Sequence, residues 1–163
     1  ISTEKAPPPK RTSLSYNLGE KIKGENLQVI VLKYHKESTI KCGYSEEVAP
    51  VGSLYIGIYY SAKNLSDKPA NFEPEFQLWD PVSEAFLNSD TGASYTYAVC
   101  LDRWGNTINR KVISELNPGI ETFGSVAFNI SAEHWNKEKS FVRFRVPKGF
   151  FSRGTSFDVT FLK

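Results

Sequence analysis

Leu116-Asn117-Pro118-Gly119 breaks the chain with turn chemistry, and residues 120–130 directly after it alternate apolar and polar side chains as a β-strand does. A turn followed at once by a period-2 segment constrains the fold strongly, because it hands one strand back against another. Weaker versions of this signal recur along the chain. Many short alternating segments with no long 3.6-residue periodicity predict an all-β fold, an antiparallel sandwich of two sheets with about seven to nine strands.

Leu27, Val29 and Val31 fall on one face of a strand and Ile30, Leu32 and Tyr34 on the other, so this strand is expected to be buried on both sides. Leu54, Ile56, Ile58 and Tyr60 alternate with Tyr55, Gly57 and Tyr59, the pattern of a central core strand. Residues 64–69 break that pattern, and Phe76 and Leu78 then form a short strand with Trp79 facing the other way. Residues 88–92 read as a loop ahead of a strand over Tyr95, Tyr97 and Val99, and residues 102–106 as another turn. Val126, Phe128 and Ile130 point one way. Val142, Phe144 and Val146 repeat the pattern, as do Phe157, Val159 and Phe161. Ser131 is a good N-cap, so one helical turn is expected over residues 131–135.

Composition narrows the function classes. A chain of 163 residues with 40% hydrophobic and 23% charged residues is globular and can bury a core of its own. Twenty basic against 18 acidic residues leave a net charge of +2, which offers no electrostatic footprint for nucleic acid. Arg110, Lys111, Lys137, Lys139, Arg143, Arg145, Lys148 and Arg153 crowd the last third and read as a solvated sheet face. No apolar run is long enough to span a bilayer; the longest candidate, residues 48–62, is interrupted by Pro50 and by glycines and serines. Residues 1–15, with Pro7-Pro8-Pro9 at their centre, read as a flexible tether ahead of one domain over residues 16–163. The chain opens at Ile1 and contains no Met, so a native start, with any signal peptide, is expected upstream.

The order of Leu27-Gln28-Val29, a core strand running into Lys63-Asn64, Phe76-Gln77-Leu78-Trp79-Asp80, Leu116-Asn117-Pro118-Gly119, Gly124-Ser125-Val126-Ala127-Phe128 and a final Phe-Val-Phe strand is similar to a known family. That family is an immunoglobulin-like β-sandwich of uncharacterised function, found in bacterial secreted proteins and lipoproteins, among them a secreted immunogenic antigen. The resemblance covers residues 15–163. It implies an extracytoplasmic location, secreted or anchored at the cell surface, and a binding or structural role; it supplies no catalytic residues.

Cys42 and Cys100, the only cysteines, are too far apart in sequence for a metal-ligand motif and fit a single disulfide in an oxidising compartment, worth about 4 kcal/mol. His35 and His134, the only histidines, read as satisfied imidazoles rather than catalytic bases. Asp80, Asp90 and Asp102 could gather around calcium, but turn formation explains each more simply. Asn64-Leu65-Ser66 and Asn129-Ile130-Ser131 match the glycosylation sequon, a triplet that often arises by chance and carries meaning only in a eukaryotic protein, where Asn64 in its turn is the better acceptor. Trp79, Trp104, Tyr95 and Tyr97 are the candidates for a contact surface, since exposed aromatics anchor interfaces and stack on sugars.

The expected function is therefore a non-enzymatic extracytoplasmic module that binds a protein partner or serves a structural cell-surface role, with carbohydrate binding through exposed Trp and Tyr as the alternative. No cofactor and no metal is expected, and membrane contact only through an N-terminal anchor.

Overall fold

The computed structural model describes residues 15–24, 26–42, 44–71, 75–100, 115–146 and 155–162. In chain order these form β1 (Ser15–Asn17), β2 (Lys21–Lys23), β3 (Leu27–Glu37), β4 (Thr39–Cys42), β5 (Ser45–Val48), β6 (Ser53–Asn64) and β7 (Ala70–Asn71). There follow β8 (Glu75–Asp80), β9 (Ala85–Asn88), α1 (Thr91–Cys100), β10 (Glu115–Leu116), β11 (Glu121–Ser131), β12 (Phe141–Val146) and β13 (Thr155–Thr160).

Two sheets face each other. One has the order β11-β6-β3-β2, the other β1-β13-β12-β8-β9. Pairing is antiparallel except at one edge, where β1 runs parallel to β13. The fold is an all-β sandwich, as the alternation predicts. β6 is its centre, paired along its whole length with β11 and β3. Between the sheets, Val29, Val31, Ile56, Ile58, Val126 and Phe128 meet Phe76, Leu78, Val142, Phe144, Phe157 and Val159 in one buried cluster. Each such side chain contributes about 1.5–3 kcal/mol when removed from water.

The Pro118-Gly119 turn forms as read. Ile120 N donates to Asn117 O at 3.3 Å, and Gly119 takes the left-handed φ of +73° that the second corner of a type II turn requires. Asn64 anchors this turn from across the sheet end. It is fully buried, its Nδ2 donating to Leu116 O and Lys68 O while its Oδ1 accepts from Ser66 N and its carbonyl from Gly119 N. An amide so enclosed cannot serve as a sugar acceptor, which corrects the reading of Asn64 as the better sequon. Asn129 is half-buried and donates to Ser53 Oγ at 3.0 Å.

Two further differences have physical causes. The register of β3 on β6 slips between Val31 and Lys33. A bulge exchanges the faces of a strand, so beyond it Tyr34 joins Val31's core, against Trp135 and Phe161, and His35 turns to the outer face. The second difference is larger: the strand expected over Tyr95 and Tyr97 is helix α1. Asp90 caps it, its Oδ1 accepting from Ala93 N at 2.8 Å and its carbonyl from Ser94 N at 2.9 Å. The helix lies on the outer face of the central sheet and also seals the edge of β11. Ala127 N donates to Ser94 Oγ, and Ala127 O accepts from Asp90 N, both at 2.8 Å. Together with the β4–β5 hairpin, α1 covers a second buried cluster of Ile40, Tyr55, Tyr59, Ala93, Tyr97 and Ala127.

Candidate functional site

One end of the sandwich concentrates the features that a contact surface needs. β6 starts there, β8 and β11 finish there, and the turns 50–52, 81–84 and 131–140 close it. The first turn follows from Gly52, whose φ of +83° lets Ser53 N and Oγ both return to Pro50 O. The third begins with the expected helical turn, in which His134 N and Trp135 N donate to Ser131 O. Trp135 then anchors it against Tyr34 and Phe161 at ring separations of 5.8 and 5.0 Å. Asn136 organises the remainder, its Oδ1 accepting from Glu138 N and Lys139 N.

The three turns are tied to one another. Ala132 N donates to Gly52 O at 2.9 Å, joining the first and third. Asp80 joins the second and third. Its Oδ1 accepts from Val82 N and Ser83 N, and its Oδ2 lies 2.8 Å from His134 Nδ1. Burial pushes the Asp80 carboxyl up, but the bonds from His134, Ser83 and Val82 outweigh it and hold the group below the usual carboxylate range. A nucleophilic triad needs serine on the outer imidazole nitrogen. Here Ser83 instead bonds the carboxylate, so the order is serine–aspartate–histidine and the arrangement fastens loops.

On this framework the apolar tips point outward. Val51 is fully exposed at 107% and Val82 at 53%, with Val48 at 58% and Leu162 at 40% at the margins of the same end. Of the six large apolar side chains exposed among the described residues, only Tyr44 and Ile120 lie elsewhere.

The residues singled out in the sequence are distributed differently. Trp79 is 5% exposed, packed against Phe86 and Phe141 at 5.0 and 6.0 Å, so it cannot stack on a sugar. Tyr97 is fully buried over Gly57, where a side chain would collide with its ring. Burial, with Glu37 and Tyr59 adding to it, raises the Tyr97 hydroxyl far above the usual phenol range. The same hydroxyl is hydrogen-bonded to His35 Nδ1, and burial followed by the charge of Lys33 lowers His35. The rings of Trp79 and Tyr97 are core, which corrects their reading as contact surface. The side chain of Tyr95 and all of Trp104 lie outside the described residues, as does Asp102. Asp80 and Asp90 serve a turn and a helix cap respectively, as turn chemistry anticipates. Among the described residues no group of three or more His, Cys, Asp or Glu is placed to hold a metal. Cys42 ends β4 and Cys100 ends α1; their side chains lie outside what is described. The valine tips escaped sequence reading because single valines in turns carry no periodic signal.

No described family profile matches this chain. An uncharacterised protein of Bacillus subtilis, YxkC, is 33% identical over 128 residues, which span 77% of this chain and 68% of that one. The chain belongs to the YxkC family. Solved structures of lower identity share the fold. An uncharacterised β-sandwich protein from Clostridium difficile superposes with a TM-score of 0.54 at 13% identity, covering 96% of this chain and 99% of that one. The Bacillus subtilis protein ycdA, provisionally described as a lipoprotein, gives 0.52 at 12% identity, over 86% of this chain and 38% of its own length. The family's structural relatives are thus bacterial β-sandwich proteins. No helix among the described residues is long and apolar enough to cross a membrane.

Proposed function

We propose that this protein is a non-enzymatic, immunoglobulin-like module that works outside the cytoplasm and binds a protein partner through the end bearing Val51 and Val82. The carrying observation is the set of exposed apolar tips on turns that are already fastened to each other. A surface ordered before contact loses little conformational entropy on binding, so modest apolar area there can support recognition. The direction of the chain supports the same reading. β1 enters the fold travelling toward this end, alongside β13, so a tether formed by the residues before Ser15 would present the valines away from its attachment point. The lipoprotein description of ycdA agrees with an anchored, extracytoplasmic role.

Site-specific photo-crosslinking in the native host tests the proposal. A crosslinker at Val51 should yield a discrete protein adduct, while one at Ile120, exposed at the opposite end, should not. Equal adducts at both positions would remove the end-on reading. Fractionation of the same cells should place the protein where added protease reaches it, and a strictly cytoplasmic pool would overturn the location.

A further inference from the structure

We propose that His35 makes the cover over the outer face of the central sheet, α1 with the β4–β5 hairpin, sensitive to acid: protonation of its ring loosens α1 and bares the edge of β11 at Ala127. The geometry starts from the slip in β3. Beyond it Lys33, His35 and Glu37 stand on the outer face, opposite Tyr59, Gly57 and Tyr55 of β6. Because Gly57 has no side chain, the Tyr97 ring of α1 settles on the backbone there, and its hydroxyl reaches His35 Nδ1. The two rings are 5.6 Å apart, with Tyr97 fully buried and His35 half-buried. The helix thus rests a buried ring on a group that changes charge near neutral pH.

A neutral imidazole carries one ring proton, so its Nδ1 can accept from the Tyr97 O–H. An imidazolium carries two. Its Nδ1 only donates, and the hydroxyl must turn round to accept. The added proton also places a charge beneath the cover and beside Lys33, two residues away on the same face. Burial, followed by the charge of Lys33, holds the covered His35 below its ordinary value of 6.5. Other charged and titratable groups face this cluster from each packed element. Glu37 of β3 and Tyr59 of β6 act on Tyr97, Glu47 of β5 and Asp90 at the start of α1 act on Tyr55, and Glu121 of β11 acts on Tyr59. Lys41 and Glu46, paired at 3.5 Å, lie exposed on the hairpin. The carboxylates in this set favour a cation at His35, and burial with Lys33 outweighs them.

A ring disfavoured as a cation only while covered makes acid favour the open cover. The stability it lends α1 is present above the 6.5 of an uncovered ring and is lost as pH falls from there through the folded value. Loosening α1 withdraws Ser94 Oγ from Ala127 N and Asp90 N from Ala127 O. What remains is an unpaired strand edge of the kind that templates pairing with another strand.

Hydrogen exchange on the purified chain from about pH 7.5 to about pH 5, corrected for the pH dependence of amide chemistry, follows the opening. Opening of α1 and the β4–β5 hairpin should rise below about pH 6.5, by at most about tenfold per pH unit because one proton is linked, while β12 and β13 keep their protection. Protection in α1 that does not change with pH would overturn the proposal, as would an equal loss in β12. His35→Gln keeps a hydrogen-bonding side chain that does not titrate, so its α1 protection should be flat over the same range. A slope that persists in this variant assigns the effect to another group and overturns the switch. Nuclear magnetic resonance titration of the His35 ring in the unmodified chain keeps the test decisive if the variant folds poorly. A midpoint below 6.5 is expected, and one at or above it would end the proposal.

Discussion

The two faces of the central sheet are buried by different means. Its inner face meets another sheet, and the contact is built from strands on both sides: Val29, Ile58 and Phe128 against Leu78, Phe144 and Val159. Its outer face is covered by a helix and a hairpin, with Gly57 and Ala127 leaving room for Tyr97 and Ala93. The inner interface is continuous and repeats along every strand. The outer one is small, aromatic and dependent on a few close approaches. The difference teaches that one strand, β6, takes part in a contact that defines the fold and in a contact that could open without destroying it.

The sharpest way to break this comparison is a cavity on each side. Phe128→Ala, at a fully buried inner position, should cost about 3–5 kcal/mol and lower the urea midpoint of the whole molecule. Loss confined to part of the structure would mean the inner contact is not the cooperative one. On the other face, Gly57→Ala drives a methyl into the Tyr97 ring and should cost about 1–3 kcal/mol. Hydrogen exchange is expected to rise in α1 well before it rises in β12 and β13, and equal rises would merge the two faces into one unit.

A third substitution belongs to neither face and serves as the reference. Because the folded Asp80 carboxyl lies below its ordinary value of 3.8, the stability it contributes is present above that value and lost as pH falls through the folded pKa. Asp80→Asn should therefore cost about 1.5 kcal/mol near neutrality and have a flatter stability profile below about pH 4 than the parent. Parallel acid profiles for the two proteins would show that the Asp80–His134 clip is idle. The smallest effect is expected from Asp90→Ala, which removes the α1 cap for about 1 kcal/mol. Circular dichroism should register a partial loss of helix with the sandwich intact.

These faces also mark what sequence reasoning reaches. The inner face was legible because its side chains fall at every second position: Ile56 and Ile58 in β6, Val126 and Phe128 in β11, Val142 and Phe144 in β12, Phe157 and Val159 in β13. β3 was legible only as far as Val31, since a bulge leaves no mark on composition and reverses every face after it. α1 was misread because Tyr95 and Tyr97 favour strands by type, whereas Asp90 and the small residues Gly92, Ala93 and Ser94 decide the helix through a cap and a seal on β11. The valine end was invisible for a different reason. It is assembled from turns distant in sequence, brought together by the pairing of β6 with β11 and by the bonds of Asp80 and Gly52 to the 131–135 turn.

The parallel edge between β1 and β13 has a mechanical consequence. Tyr16 is locked against Phe157, Thr160 Oγ1 donates to Asn17 Oδ1 at 2.7 Å, and Leu18 N donates to Leu162 O at 3.1 Å. A pull on the residues before Ser15, resisted by something grasping the valine end, runs along β1 rather than across it. Contacts arranged along the line of force share the load and must fail together, whereas contacts at right angles to it open one after another. A molecule pulled in this direction should therefore yield at a higher force than one pulled through handles on β9 and β12, and single-molecule extension with the two attachment geometries would measure the difference.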